Sequence, residues 1–235
     1  MRTGASAVST YVLVHGAGGD SWYWHLVAPR LRDLGHAVVA MDLPCDDDRA
    51  GLDDYTRCVI DAVGARDDVI LVAQSLGAYP ATMACDSLPV GLLVLVAAMV
   101  PAPGESPGDW WANTGHVFPD PFDPEEVFAH DLPEDLAAEL ATHVREQSGT
   151  VFEKPWPLEA WPDVPTRFLL CRDDRFFPAD FQRRVVAERL GITPDEMPGG
   201  HLPALGHPDE LVQWLERYRS EERDRSEEAA GSSST

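Results

Sequence analysis

Five short apolar runs, separated by longer segments with helical spacing, dominate the pattern of this chain. The runs cover residues 10–15, 37–42, 69–74, 91–98 and 166–171. Each is almost continuously apolar, which is typical of strands in a parallel sheet whose two faces are both covered. Between them, segments such as WHLVAPRLRDLG and GLDDYTRCVIDAVGA repeat their apolar residues with helical periodicity. The alternation predicts an α/β fold with a doubly wound, mostly parallel sheet.

The alternation stops between residues 101 and 163, which are rich in proline, tryptophan and acidic residues. This stretch holds four of the seven tryptophans, and fourteen acidic residues stand against two basic ones. Ligands of open α/β sheets bind at the carboxyl edge of the strands. We therefore interpret 101–163 as a small helical lid, inserted before the last two strands of a core made of 1–100 and 164–219. The alternative is a long surface excursion with packing tryptophans.

The C-terminal part divides into a helix and a polar end. The segment PDELVQWLERY has proline and acids in its first turn and one apolar face, so it predicts an amphipathic closing helix. Residues 220–235 are charged and then small and polar. This composition predicts a disordered acidic and polar tail.

Composition narrows the classes of partner. The 235 residues suit one domain, and the formal net charge of −22 argues against binding to nucleic acid or to an anionic membrane surface. We see no apolar stretch long enough to span a bilayer and no signal-peptide pattern. The four cysteines are scattered without metal-binding spacing, so we expect reduced thiols, no metal and a cytoplasmic protein. The sequence leaves a homodimer open.

The first strand is followed by a glycine-rich turn, HGAGGDSW, which two chemistries could use. A dinucleotide site would need G-x-G-x-x-G, but the third glycine position holds Ser21, followed by Trp22. A phosphate-binding GK[ST] sequence is also missing. The remaining use is an oxyanion hole, in which backbone N–H groups point at a developing negative charge. The turn therefore favours acyl-transfer chemistry.

Ser75 lies where a strand gives way to a helix. Residues 73–77 read A-Q-S-L-G, against G-x-S-x-G for the nucleophile elbow of hydrolases. Ala73 is a mild departure, since the strained turn requires small flanking residues. A structural serine would explain this stretch about equally well, so the assignment depends on partners elsewhere in the chain.

Those partners occur in the order Ser, Asp, His, which is the order of this elbow's catalytic triad. Asp173 and Asp174 follow the last long strand, and both are candidates for the acid. His201 follows two glycines, whereas His207 stands just before the closing helix and is more simply a helix-entry residue. Three residue types in the required order, at strand ends, indicate that Ser75 is a nucleophile.

With these motifs the chain resembles the α/β-hydrolase superfamily over residues 10–219. More narrowly, VLVHGAGGDSWYW, DLP, QSLGA, DDRFFPADFQ and GGHLPAL are similar to plant methyl-ester esterases, hydroxynitrile lyases and their bacterial relatives. The spacing of the family acid, G-x-x-D-x-x-x-P, selects Asp174, with Cys171 in the place of the glycine. The resemblance also implies His201 as the base and the N–H groups of Ala17 and Leu76 as oxyanion donors.

Two departures from the family bear on the reaction. The related lyases have a threonine beside the first oxyanion residue and a lysine after the catalytic histidine, where this chain has Gly16 and Leu202. Without that cation to stabilise departing cyanide, the resemblance implies ester hydrolysis with no cofactor. We expect a small, largely apolar, neutral ester as substrate. A thioesterase, lactonase or cyclase with the same triad, and a non-catalytic small-molecule sensor, are the alternatives.

The aromatic residues of the lid suggest where the substrate would bind. We expect Trp110, Trp111 and Phe118, together with Leu202 beside the histidine, to line an apolar pocket. The strongly acidic lid would disfavour anionic substrates. The sequence leaves open whether some of these aromatic residues form the core of the lid instead.

Overall fold

Within residues 8–232, the part of the chain that this computed structural model describes, six strands pair into one parallel sheet. The strands are β1 (Thr10–Val14), β2 (Ala37–Ala40), β3 (Val69–Gln74), β4 (Val90–Val96), β5 (Thr166–Cys171) and β6 (Asp195–Met197). Their order across the sheet is β2-β1-β3-β4-β5-β6, and every pairing is parallel. The predicted α/β fold class is confirmed.

Helices cover both faces of the sheet and its carboxyl edge. They are α1 (Val27–Asp33), α2 (Leu52–Val63), α3 (Ala78–Ala84), α4 (Pro107–Thr114), α5 (Pro124–Phe128), α6 (Glu134–His143), α7 (Ala179–Leu190), α8 (Pro203–Gly206) and α9 (Pro208–Ser232). Short 3₁₀ turns at Ser21–Trp24, Ser75–Gly77, Cys85–Ser87 and Gly149–Phe152 complete the described chain.

Two apolar layers explain why the strands are apolar throughout. Tyr11 and Leu13 of β1 belong to a buried cluster shared with α1 and α9, whereas Val12 and Val14 belong to a second cluster shared with α2, α3 and α7. Successive side chains of a strand point to opposite faces. Both faces are therefore dry, and β1 is buried along its whole length.

Among the six strands, β6 is the one that none of the five apolar runs predicted. It has three residues, Asp-Glu-Met, of which only Met197 is buried. Three residues at the sheet edge are too few to show a period. Pairing with β5 makes this segment a strand.

The topology brings two loops together at the middle of the carboxyl edge. β1 and β3 are neighbours although β2 lies between them in sequence, so the strand order reverses at β1. Ligands of open α/β sheets bind at such a switch point. The glycine-rich turn after β1 and Ser75 after β3 both lie there.

The insertion at 101–163 contains α4, α5, α6 and the turn Gly149–Phe152. Two of its tryptophans fix it to the core. Trp110 Nε1 donates to the Val100 carbonyl at 2.9 Å, and Trp156 Nε1 donates to Thr82 Oγ1 at 3.1 Å. Both rings are essentially fully buried. Part of the predicted lid is therefore continuous with the core.

The C-terminal segment differs from the predicted disordered tail. α9 continues to Ser232 instead of ending near residue 219, and residues 233–235 lie outside the described chain. Ion pairs one helical turn apart accompany this extension, including Arg217–Glu221, Arg225–Glu222 and Arg223–Glu227. Such pairs stabilise exposed helices. The high charge that indicated disorder is arranged here with helical spacing.

No helix in the described part of the chain combines the length and apolar character needed to cross a membrane. The four cysteines carry free thiols, three of them buried and that of Cys58 half-buried.

Candidate active site

Ser75 occupies a sharp turn between β3 and α3. Its φ of 51° lies in the left-handed region, which costs free energy for a residue with a side chain. Neighbouring glycines permit the turn. A Cβ on Gly77 would lie 2.6 Å from the His15 carbonyl oxygen, and one on Gly16 would lie 2.9 Å from Ser75 Cβ. The small residues around Ser75 therefore let the β1 and β3 ends approach closely.

Ser75, His201 and Asp174 form a continuous hydrogen-bonded chain. His201 Nε2 is 3.2 Å from Ser75 Oγ, and His201 Nδ1 is 2.8 Å from Asp174 Oδ2. All three residues are buried. Because a carboxylate only accepts, Nδ1 carries the proton and Nε2 is free to accept the hydroxyl proton of Ser75.

The structure separates the two candidate acids. Asp174 Oδ1 accepts from the backbone N–H groups of Phe176 and Phe177, both at 2.8 Å, which leaves Oδ2 for His201. Asp173 points the other way, and its Oδ2 accepts from Gly199 N–H at 3.0 Å. Asp174 is thus the candidate that contacts His201, while Asp173 braces the turn before His201.

Gln74 also contributes to this arrangement, and apart from its place beside the serine no pattern in the sequence pointed to it. Its Nε2 donates to the His201 carbonyl oxygen at 3.1 Å, and the side chain is buried. The residue before Ser75 therefore holds the main chain of His201.

The two expected oxyanion donors flank Ser75. Ala17 and Leu76 both line the cavity in front of it. Leu76 is in the first turn of a 3₁₀ helix, where N–H groups lack intrahelical acceptors. Within residues 8–232 the Ala17 N–H donates to no protein acceptor. Both positions thus suit a developing negative charge.

His15 fixes the start of the oxyanion turn. Its Nε2 accepts from Leu43 N–H at 3.0 Å, and Nδ1 donates to the Gly16 carbonyl at 2.7 Å. Burial lowers the pKa of His15, so the ring stays neutral and keeps one donor and one acceptor. No pattern in the sequence distinguished His15 from an ordinary residue at the end of a strand.

The lid holds the same turn from the other side. Gly18 N–H donates to Gln147 Oε1 at 3.0 Å, and the Gly18 carbonyl accepts from Arg145 N–H at 2.8 Å. Gln147 Nε2 in turn donates to the Tyr55 hydroxyl at 3.1 Å. The oxyanion turn therefore depends on the segment that follows α6.

A cavity of about 1090 Å³ opens in front of Ser75, between the sheet edge and the lid. Its lining is mostly apolar and aromatic. Four carboxylates also line it, whereas no lysine or arginine does, among the residues that the structure describes. The acidic lining residues are Asp20, Glu125, Glu126 and Glu134.

The predicted substrate-binding residues divide into two pairs. Trp111 and Leu202 line the cavity. Trp110 does not, because it lies on the buried face of α4 with Pro107 and Thr114. Phe118 does not either; it is 48% exposed and packs against Trp111, His116 and Phe176. Other apolar and aromatic residues line it as well: Tyr23, Met99, Phe128, Leu132, Leu140, Phe152 and Phe176.

Trp22 lies at the cavity wall between two imidazoles. His25 stacks on one side at 4.4 Å between ring centroids, and His143 of α6 stacks at 4.2 Å. His143 Nδ1 is 3.0 Å from Asp20 Oδ2. This stack joins the lid to the loop after β1. In residues 8–232, no three His, Cys, Asp or Glu side chains form a group suited to a metal ion.

A family model described as "Alpha/beta hydrolase family" matches residues 11–214. The chain belongs to this family. Methylesterase 7 of Arabidopsis thaliana is 29% identical to this α/β hydrolase over 254 residues, covering 87% of the chain and 94% of the relative. Salicylic acid-binding protein 2 of Nicotiana tabacum is 28% identical over 249 residues, covering 87% and 95%.

Solved structures show the same fold. The crystal structure of polyneuridine aldehyde esterase superposes on this α/β hydrolase with a TM-score of 0.76 at 20% identity, covering 90% of this chain and 99% of that one. A crystal structure of a pyrethroid hydrolase gives 0.76 at 24% identity, covering 91% and 98%.

Proposed function

We propose that this chain is a serine esterase that cleaves a carboxylic ester through an acyl-enzyme at Ser75. The observation that carries the proposal is the chain of contacts from Ser75 Oγ to His201 and on to Asp174, opening into a mostly apolar cavity. Relatives named as methylesterases support an ester as the bond cleaved.

Acylation follows from the geometry. His201 Nε2 accepts the proton of Ser75 Oγ as that oxygen attacks the ester carbonyl carbon. Asp174 holds the Nδ1–H tautomer and stabilises the imidazolium that forms. The carbonyl oxygen, now an oxyanion, accepts hydrogen bonds from the N–H groups of Ala17 and Leu76. His201 then gives its proton to the leaving alkoxide, and the alcohol departs.

Deacylation repeats these steps with water as the nucleophile. His201 Nε2 takes a proton from water, the hydroxide attacks the acyl carbon, and the same N–H groups hold the second oxyanion. The imidazolium returns the proton to Ser75 Oγ as the carboxylic acid leaves. Loss of one oxyanion donor would cost about 3 kcal/mol in the barrier.

The size and the charge of the cavity indicate how large the substrate would be and which charge it would carry. Ligand pockets usually measure roughly 300–1,000 Å³. A cavity of about 1090 Å³ therefore has room for a bulkier ester than the small one that we expected. Its aromatic lining favours an apolar body. The four carboxylates, without a lining cation in the described chain, disfavour a substrate that carries a carboxylate of its own.

The test is hydrolysis of p-nitrophenyl esters from acetate to octanoate, with fluorophosphonate labelling. Ser75→Ala removes the proposed nucleophile, and Ser87→Ala changes an exposed serine of the same strand-to-strand segment as a matched control. We expect turnover and labelling in the wild type and in Ser87→Ala. Both should be lost in Ser75→Ala.

Other outcomes select the alternatives. Labelling of Ser75 without turnover of any oxygen ester would favour a thioesterase, lactonase or cyclase that uses the same triad. Saturable ligand binding with neither labelling nor turnover would contradict the esterase and favour a sensor.

A further inference from the structure

A carboxylate of the lid reaches the turn that carries the catalytic histidine. Asp131 lies between α5 and α6, and its Oδ2 accepts from the Gly200 backbone N–H at 2.6 Å. The Asp131 side chain is only 15% exposed. A hydrogen bond to an ionised acceptor is about twice as strong as one between neutral groups. The peptide immediately before His201 is therefore held by the lid.

The histidine turn is shaped to receive this carboxylate. A Cβ on Gly200 would lie 2.8 Å from Asp131 Oδ1, and one on Gly206 would lie 3.1 Å from Asp131 Oδ2. The backbone also bends there through a φ of 103° at Gly199. These glycines make room for the carboxylate of Asp131 as well as for the turn itself.

His207 lies beside this carboxylate. Its ring packs against Gly199, and its Nε2 is 3.8 Å from Asp131 Oδ2. Asp131 Oδ1, by contrast, is buried and accepts no hydrogen bond from the described residues. A buried carboxylate oxygen without a donor lowers the stability of the fold. The acid is thus poorly suited to stabilising the lid alone, and its well-made contact is with the peptide beside His201.

We propose that Asp131 is a positioning residue, which orients His201 through the Gly200 peptide and so makes assembly of the triad depend on a seated lid. The proposal rests on the esterase function proposed above. When the lid lifts, Gly200 N–H loses its acceptor and the turn before His201 loses a restraint. Asp131 touches no substrate in this role and acts through His201.

Three variants test the contact. Asp131→Ala removes the acceptor, Asp131→Asn keeps an amide oxygen in its place, and Asp135→Ala removes an exposed carboxylate four residues further along the lid. We expect Asp131→Ala to lower kcat and the rate of fluorophosphonate labelling about tenfold or more, with little change in KM, because misplaced catalytic groups slow the chemical step. Asp131→Asn should recover most of the loss, and Asp135→Ala should match the wild type.

Gly200→Ala tests the same contact from the other side. Its Cβ would displace the Asp131 carboxylate, so we expect a loss of kcat similar to that of Asp131→Ala. In the Asp131→Ala background the clash with the carboxylate is gone and only that with His130 Nε2, 2.9 Å from the added Cβ, is left, so the second change should cost less. Strong non-additivity of this kind marks residues in direct contact. Additive losses, or an Asp131→Ala variant indistinguishable from Asp135→Ala, would overturn the proposal. If Asp131→Ala does not fold, the comparison of Gly200→Ala with the wild type and Asp131→Asn decides.

A readout without substrate separates this proposal from the esterase itself. The His201 Nδ1 proton that bonds Asp174 should give a low-field proton NMR signal, assigned by its loss in His201→Ala. We expect the signal to broaden or disappear in Asp131→Ala and to persist in Asp135→Ala. An unchanged signal in folded Asp131→Ala overturns the positioning role. A wild type that neither turns over nor labels overturns only the esterase.

Discussion

Gln74 donates a hydrogen bond from its side-chain amide to the main-chain carbonyl of His201, 3.1 Å away, so the residue before the proposed nucleophile restrains the proposed base. The contact spans 127 positions in sequence, and it joins the end of β3 to the loop before α8. The three triad members come from three different loops. Hydrogen bonds of this kind, made by residues outside the proposed triad, hold the loops in position relative to one another.

Gln74→Ala should therefore lower both activity and stability. The His201 carbonyl loses its donor, which costs about 1–3 kcal/mol in the free energy of unfolding. The freed loop should lower kcat about tenfold or more. Kinetics on p-nitrophenyl butyrate and urea unfolding measure both quantities. Gln213→Ala, at an exposed position on α9, is the control and should leave both unchanged. Unchanged kcat in Gln74→Ala would refute the restraint.

The two adjacent aspartates should respond very differently to the same change. Asp174→Asn removes the charge that fixes the His201 tautomer, and kcat should fall by about 10⁴. Asp173→Asn keeps an oxygen for Gly199 N–H and should cost less than about tenfold. Steady-state kinetics of the two variants side by side make the comparison. Equal losses would mean that the acid was assigned wrongly.

Breaking the buried ion pair between Glu105 and Arg189 should be strongly destabilising. The two oxygens of Glu105 accept from Arg189 at 2.5 and 2.7 Å, and the Glu105 side chain is 4% exposed. Glu105→Ala strands the guanidinium and should cost about 3–5 kcal/mol. Urea unfolding measures it.

The control for that pair is an exposed one. Asp53→Ala breaks the contact of Asp53 with Lys154, in which both side chains are about two-thirds exposed, and should cost less than about 1 kcal/mol. A similar loss in both variants would show that burial does not set the strength of the Glu105 pair.

Stability should fall as pH drops below the ordinary pKa of histidine. Burial lowers the pKa of both His15 and His116 from 6.5, so the folded protein keeps them neutral. The unfolded chain takes up protons near pH 6.5, and the folded one does so only at lower pH. Their contribution is therefore complete above pH 6.5 and declines below it. Urea unfolding at about pH 7.5 and about pH 5.5 measures the difference.

His116→Phe removes one of the two groups and keeps an aromatic ring. It also removes the hydrogen bond to the Phe176 carbonyl, so the variant should be less stable throughout. Its stability should nevertheless change less between the two pH values than that of the wild type. If the free energy of unfolding of His116→Phe changed with pH as much as that of the wild type, the assignment of His116 as neutral would be contradicted.

A negative charge on the substrate should lower kcat/KM. For p-nitrophenyl esters of equal length, a terminal carboxylate should lower kcat/KM relative to a neutral methyl group, because the lining is acidic. Glu126 is paired with Arg175 and Asp20 contacts His143, whereas Glu125 and Glu134 make no ion pair among the described residues. Added salt should reduce the difference, since it screens these charges. A carboxylate ester turned over as well as the neutral one would rule out charge as a determinant.

The core strands, and the three residues proposed as a triad, were accessible to sequence reasoning because their signals are local. A parallel strand buried on both faces is a continuous apolar run, and the triad residues follow strand ends in a fixed order. Gln74 and Asp131 carry no such signal, because their partners are main-chain groups far away in sequence. Only the folded chain brings them together.

Trp110 and Trp111 show a further limit. Adjacent residues of a helix point about 100° apart, so one ring is buried in the core and the other faces the cavity. The spacing of Pro107, Trp110 and Thr114 along one face of α4 was the available clue. The last turns of α9 were missed because a charge-rich composition was weighed without its spacing.

The hydrogen bonds that join Arg145 and Gln147 to Gly18 have a consequence for protein engineering. A lid is the natural segment to exchange or randomise when a different substrate is wanted. In this enzyme Arg145 and Gln147, which follow α6, also hold the backbone of the turn whose N–H groups would stabilise the oxyanion. A grafted lid would therefore bring its own oxyanion geometry, and inactive chimeras would say little about pocket shape. Libraries confined to the cavity-facing positions of α5 and α6, with Arg145 and Gln147 retained, would vary substrate preference while keeping the catalytic apparatus intact.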